Sequence, residues 1–449
     1  MSAPRVLIIA HGHPDFSIGG GEIAAHAHWR ELRRRGIDAM FIARVAQSPG
    51  HTASFSLRSA DGMEVLFSAP PVDHFRHSQP SRRVIYEEFR ALLTRFAPTV
   101  VHFHHYVHLG LEMIREVRRT VPHAQIVVTL HEFLAQCHAQ GQMLKATGLL
   151  CTKAQPLDCH QCFPSVTPQE FFMRELFVKS FLNLCDRFVC PSAFLRNRYV
   201  EWGLPADKMA VVENGQPFRA ASGGGEPQGG EPRGGQTPGG EPPGESLRTR
   251  FVLLGQLSRF KGTLVLLEAA RLLPKRLRDL VTIEIHGSIQ FAVDEFKAQF
   301  EKQLLGLEDT VRYGGPYRPD DVHDIIQRSG WVIVPSIWWE NSPLVIQEAF
   351  AAGRPVLCSN VGGMAEKVAN GVNGLHFRVG SASDLAARIE EAATKPGLWE
   401  RLRAGVPAPP RIDATVDQLL ALYGAESAAG ATGAAAPGAT APVGLRSLA

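Results

Sequence analysis

Two glutamates, a lysine turn and four clustered cysteines are the residues whose types and spacing could do chemistry in this chain. Glu340 and Glu348 stand with seven residues between them in the stretch WVIVPSIWWENSPLVIQEAFAAGRPVLCSN, residues 331–360. Around Glu348 lie Leu344, Val345, Ile346, Ala349, Phe350, Ala351 and Ala352. A carboxylate on so apolar a helix needs a partner that offsets its lost hydration. Hydroxyl pairs of a sugar or ribose suit it, because one carboxylate accepts two O–H bonds at once. Lys261 sits in the turn QLSRFKG, where a lysine and a following helix N-terminus would together attract a phosphate. Cys137, Cys151, Cys159 and Cys162 fall in one loop, the last two as C-x-x-C. Four thiolates make a closed tetrahedral site that suits zinc, although the spacing is irregular for a zinc ribbon. His138 or His160 could substitute as a ligand, and an iron–sulfur cluster also fits four cysteines.

The elements that must position these residues alternate between strand and helix. Trp331–Ser336 reads as an apolar strand, Ser342 as the N-cap of a helix with Pro343 at its first position, and Gly353 as its end. Pro355–Cys358 opens the next strand. In a parallel β-α-β unit the loop after the first strand, here carrying Glu340, faces the ligand crevice. At the N-terminus, Arg5–His11 reads as a strand followed by a turn through Gly19, Gly20 and Gly21, then a helix from about Glu22 to Arg35. Such a turn lets backbone N–H groups approach an anion, but it lacks the G-x-G-x-x-G spacing of a dinucleotide site. Thr99–His104 and Gln125–Leu130 are further strands, the second ending at His131, again in the crevice. His102, His104 and His105 read as packing and cleft lining.

Composition narrows the classes of function. The 449 residues suffice for two cores, and 47 Lys plus Arg against 44 Asp plus Glu leave a net charge of +3, too little for a dedicated nucleic-acid binder. No apolar run approaches membrane-spanning length, and Val6–Ala10 is too short for a signal-peptide core, so a cytoplasmic chain is expected. Seven cysteines point to thiols or a metal site rather than a disulfide framework. The Gly/Pro/Glu-rich stretch near Ala221–Glu245 and the Ala/Gly/Pro tail read as disordered.

The phrase Glu340, seven residues, Glu348, then AFAAGRPV and Gly362-Gly363-Met364-Ala365-Glu366, closely resembles the donor-binding signature of the retaining family 4 glycosyltransferases. That resemblance implies an α/β protein of GT-B fold, two Rossmann-like parallel-sheet domains facing across a cleft. The division it implies is an acceptor domain over 1–215 with the Cys-rich loop 137–162, a linker or insertion over 216–249, a donor domain over 250–410, a crossover helix over 411–424 and a tail over 425–449. It implies catalytic roles for His131 and Glu340. Donor binding would fall to Gly20, Gly21, Arg259, Lys261, Asn341, Ser342, Pro343, Leu344 and Glu348. Gln256 occupies the family's phosphate-binding Arg position, which leaves Arg259 as the substitute. No cofactor is implied for catalysis, so a zinc at Cys137, Cys151, Cys159 and Cys162 would be structural. The implied partners are a nucleotide diphospho-sugar and a saccharide or lipid-linked acceptor. Arg30–Arg35 would offer peripheral membrane docking. A GT-B isomerase and a non-catalytic sugar-nucleotide scaffold are the competing readings, the latter because of Gln256.

Overall fold

The computed structural model describes residues 3–17, 19–45, 55–68, 72–79, 83–216, 247–290 and 292–424. Most of the expected insertion and the expected tail therefore lie outside the described residues. Two sheets organise the chain. The first contains β1 (Val6–Ala10), β2 (Ala39–Val45), β3 (Phe55–Leu57), β4 (Glu64–Ser68), β5 (Val100–Phe103), β6 (Gln125–Thr129), β7 (Arg187–Cys190) and β8 (Met209–Val211). Their order is β3-β4-β2-β1-β5-β6-β7-β8, parallel except for the β3/β4 hairpin. The second contains β9 (Arg250–Leu254), β10 (Thr282–His286), β11 (Val311–Gly315), β12 (Trp331–Val334), β13 (Val356–Ser359) and β14 (Gly374–Phe377). Its order is β11-β10-β9-β12-β13-β14, parallel throughout.

Strand composition explains both sheets. Side chains alternate between faces along a strand, and helices cover both faces of a parallel sheet, so nearly every position is apolar. In β1, Leu7 and Ile9 enter one core while Val6, Ile8 and Ala10 enter another. In β12, Trp331 and Ile333 face one core and Val332 and Val334 the other. The final helix, Ile412–Leu422, places Ile412, Val416, Leu419 and Leu420 in the core that holds Val6 and Ile8. The chain thus returns to its first sheet. Each sheet also reverses its strand order once, at β1/β5 and at β9/β12, and crevices form beside such reversals.

Several elements differ from what the sequence suggests. Ser342 is no N-cap: Pro343 holds that place in extended conformation, and the helix runs Leu344–Ala351. The preceding residues are tied elsewhere, Glu340 by its carbonyl and Asn341 by its side chain, so the chain cannot turn helical until Leu344. Helix Gly20–Arg34 begins earlier than expected, with both glycines inside it. Cys159 and Cys162 lie on a short helix, Pro156–Cys162, rather than in open loop. Helices Arg83–Phe96, Pro168–Leu182, Asp294–Leu304 and Leu398–Ala404 are additional to the expected elements. Pro168–Leu182 has apolar residues on all sides and so no clean stripe. Its start is nevertheless legible, since Thr167 and Glu170 form a capping box around Pro168.

Candidate active site

The turn after β9 and the loop after β12 meet at the reversal of the second sheet. There Lys261 Nζ lies 2.6 Å from Glu340 Oε1, and the same oxygen accepts from Ser336 Oγ at 2.8 Å and Trp338 Nε1 at 2.9 Å. Glu340 is 7% exposed. Burial alone would raise its pKa, but Lys261 and the Trp338 and Ser336 donors outweigh burial and hold it below the ordinary carboxylate value. The carboxylate is therefore ionised near neutral pH. Arg259 is exposed in the same turn, its guanidinium 5.3 Å from the Phe260 ring, and Gln256 is exposed as well. Glu348 is half-buried on the Leu344–Ala351 helix near Tyr317, whose phenol is pushed up to about 12 by burial and then by this carboxylate.

Glycines make this geometry possible at two points. Gly262 turns with φ +70°, and a Cβ there would stand 1.8 Å from the Pro335 carbonyl oxygen. Gly363 donates its N–H to the Glu340 carbonyl at 2.6 Å, and a Cβ on it would stand 1.7 Å from the Asn341 carbonyl oxygen. Gly363→Ala is expected to push the Glu340–Asn341 backbone away and lower stability by about 1–3 kcal/mol. Thermal unfolding of the variant checks this, and an unchanged midpoint would count against the contact.

Residues from both sheets close on one another here. Asn341 Nδ2 donates to the His131 carbonyl at 2.7 Å, while Asn341 Oδ1 and Ser342 Oγ are buried with no partner among the described residues. A Cβ on Gly20 would contact Leu344 at 3.5 Å, and one on Gly21 would lie 3.6 Å from the His131 ring. Small residues at this helix start thus let the two halves approach. Gln347, 1% exposed, donates to Glu213 Oε1 and to the Asn214 carbonyl. Glu366 accepts from the Ala193 and Phe194 amides at 2.8 and 2.6 Å, capping helix Ala193–Trp202 from the opposite domain. Sequence reasoning misses Gln347 and Glu366 as interdomain contacts, and no local pattern marks them.

His131, half-buried, stands at the end of a row of buried imidazoles. Its Nε2 lies 3.2 Å from His104 Nδ1, and His104 Nε2 lies 3.1 Å from His28 Nδ1. His102 bonds Tyr423 Oη at 2.6 Å and Thr129 Oγ1 at 2.7 Å. Burial, then neighbouring histidines, hold His131 and His104 well below the usual histidine range, so both rings are neutral. A neutral imidazole can donate or accept one hydrogen bond without carrying charge. Of the three histidines read as packing and cleft lining, His102 and His104 are fully buried and His105 accepts from the Tyr106 and Val107 amides.

The remaining predicted residues lie outside the cleft. Cys137, Cys151, Cys159 and Cys162 are free thiols lining one small cavity. Among the described residues, the one group of three His, Cys or carboxylate ligand atoms within 4.8 Å of one another is His13, His26 and Glu64. In that group Glu64 already holds His13 Nε2 at 2.6 Å and has Arg58 Nε at 3.6 Å. Arg33, Arg34 and Arg35 are engaged by Asp61, Glu31 and Asp417. No helix among the described residues is long and apolar enough to cross a membrane.

Two family models match, Glycosyltransferase Family 4 over residues 18–216 and Glycosyl transferases group 1 over residues 245–406. A lipopolysaccharide 1,2-N-acetylglucosaminetransferase of Salmonella typhimurium is 32% identical over 203 residues, 44% of this chain and 50% of the relative. A D-inositol 3-phosphate glycosyltransferase of Nocardiopsis dassonvillei is 30% identical over 177 residues, 38% of this chain and 41% of the relative. The chain thus spans half or less of the length of these curated relatives. Sucrose-phosphate synthase from Thermosynechococcus elongatus superposes with a TM-score of 0.64 at 18% identity, covering 93% of this chain and 98% of that one. Anabaena HepE in complex with UDP-glucose gives 0.60 at 15% identity, covering 93% and 98%. At these identities the two structures establish the fold, which is GT-B.

Proposed function

Since this chain belongs to the family 4-like glycosyltransferases, we propose that it transfers a sugar from a nucleotide diphospho-sugar to a hydroxyl of a saccharide or lipid-linked acceptor, with retention at the anomeric carbon. The observation that carries this reading is the Lys261–Glu340 pair at the sheet reversal, with the adjacent Asn341 bonded to the His131 carbonyl of the other domain. Transfer requires a departing diphosphate and an oxocarbenium-like sugar to be stabilised together. Lys261, Arg259 and the N-terminus of helix Leu344–Ala351 supply positive potential for the diphosphate. Glu340 accepts donor-sugar hydroxyls, and Asn341 Oδ1 and Ser342 Oγ, without a partner among the described residues, lie beside it. Glu348 holds the ribose. His131, neutral, bonds a sugar hydroxyl without adding charge beside the cation-like centre. Retention then follows from same-face attack, with the departing phosphate oxygen taking the acceptor's proton and no glycosyl-enzyme intermediate.

Lipopolysaccharide and an inositol phosphate, which the relatives' names mention, are acceptors to test, and UDP is the first nucleotide to try because a structural neighbour is bound to UDP-glucose. Thermal unfolding with UDP, GDP, ADP and their sugars is expected to shift upward for one nucleotide in the wild type. At a hundredfold excess over Kd the gain is about 2.7 kcal/mol. Glu348→Ala should lose most of that shift. No shift with any nucleotide would remove the donor assignment. Gln256, exposed where the family carries an arginine, favours a second reading, a sugar-nucleotide binder without transfer. Time-dependent loss of donor in the presence of acceptor excludes it.

A further inference from the structure

The segment from Cys137 to Cys162 is built around its sulfurs. Cys137 follows a turn. Met143 and Cys151 are joined by a 2.8 Å backbone bond, with Leu144 and Leu150 bridged between them, and Cys159 and Cys162 share a face of helix Pro156–Cys162. All four line a cavity of about 30 Å³. Gln140 and Met143 hold φ of +51° and +48°, conformations that non-glycine residues keep only where surrounding structure enforces them.

A second observation is independent of the sulfurs. Arg174 is 2% exposed and forms no ion pair within 4.0 Å among the described residues, the carboxyl it acts on being that of Glu132. It donates to the carbonyls of Phe75, Leu134 and Ala135 at 2.6, 2.6 and 2.8 Å and approaches His77 Nε2 at 3.3 Å. A buried guanidinium held only by neutral groups calls for an anion nearby. Its charge acts on the thiols of Cys137 and Cys159. Lys145, paired with Asp158 at 3.1 Å, borders the same cavity.

We propose that Cys137, Cys151, Cys159 and Cys162 bind one structural zinc ion, which braces this segment and thereby holds the Cys151 carbonyl in place for Trp339. The Trp339 indole donates to that carbonyl at 2.9 Å, and Arg198 donates to it at 3.0 Å. Trp339 adjoins Glu340, so the metal steadies the donor loop from the opposite domain. Binding releases the four thiol protons. A zinc tetrathiolate carries two negative charges, and the Arg174 guanidinium, which acts on Cys137 and Cys159, lies close enough to offset part of them. No three of the sulfurs stand within 4.8 Å of one another, so the cysteine side chains must turn into the cavity to reach the ~3.8 Å sulfur separation of a tetrahedral site. Iron–sulfur ligation also takes four thiolates, and metal analysis separates the two.

Metal analysis of the full chain purified without chelator tests this independently of the transferase reading. One zinc per chain is expected, and Cys159→Ser/Cys162→Ser should lose it. Because that variant can fail to fold, wild-type protein stripped with a chelator is also titrated with cobalt, which should give a thiolate-to-cobalt charge-transfer band at one equivalent. Iron with acid-labile sulfide, full zinc in the folded double variant, or neither zinc nor a charge-transfer band would each overturn the proposal.

Discussion

Glu340→Gln is expected to reduce sugar transfer by about 10²–10³-fold while leaving the protein folded, given the proposed role of this carboxylate. The amide keeps the shape and can still accept from Ser336 and Trp338, but it removes the charge that faces Lys261. Lys261 is 35% exposed along its side chain and can rehydrate, so the cost to folding stays small. Lys261→Met acts differently, because it leaves Glu340 buried without its cation, and that should raise the Glu340 pKa and lower stability as well as transfer. The double variant should recover stability relative to Lys261→Met without recovering transfer. Steady-state rates and urea midpoints of the four proteins check this. Transfer by Glu340→Gln within threefold of wild type would remove Glu340 from the reaction.

Acidification from about pH 7 to about pH 5.5 is expected to destabilise the first domain by roughly 5 kcal/mol, comparable with the whole stability of an ordinary domain. His28, His77, His102 and His104 are all at most 3% exposed. Burial, aided at His77 by the Arg174 charge, lowers His77 to about 3 and His28 to about 4, and holds His102 and His104 well below 6.5. In the unfolded chain each titrates near pH 6.5. Below that value the unfolded state binds protons that the folded state refuses, so stability falls as pH falls and is regained above about pH 6.5. Each ring contributes about 1.2 kcal/mol over this interval. Burial raises the Glu132 carboxyl to about 8 and lowers His105, 3.2 Å away, to about 3, so the folded pair keeps one proton over this interval and opposes the loss by less than one ring's contribution. Urea unfolding followed by circular dichroism at the two pH values measures the effect. Equal midpoints would show that these rings protonate in place.

Much of this protein is legible in its amino-acid sequence. The apolar runs of β1 and β12 belong to sheets buried on both faces, because side chains alternate whatever their distant neighbours are. A β-α-β unit puts the loop after its first strand at the crevice, so Glu340 and Lys261 can be placed at one edge from order alone. Their direct pairing across 79 residues cannot, since it depends on β9 and β12 being neighbours, and sheet order is decided by how helices pack. For the same reason Asn341 reaching the His131 carbonyl, Glu366 capping Ala193–Trp202 and the row from His131 to His28 emerge only in three dimensions. Ser342 shows the converse: a local N-cap pattern yields to tertiary ties on Glu340 and Asn341. Sequence alone determined the elements and which ends of them face the crevice, because backbone periodicity acts over a few residues. The tertiary structure decided which charges meet and which histidines stay neutral, because both depend on burial between segments far apart in the chain.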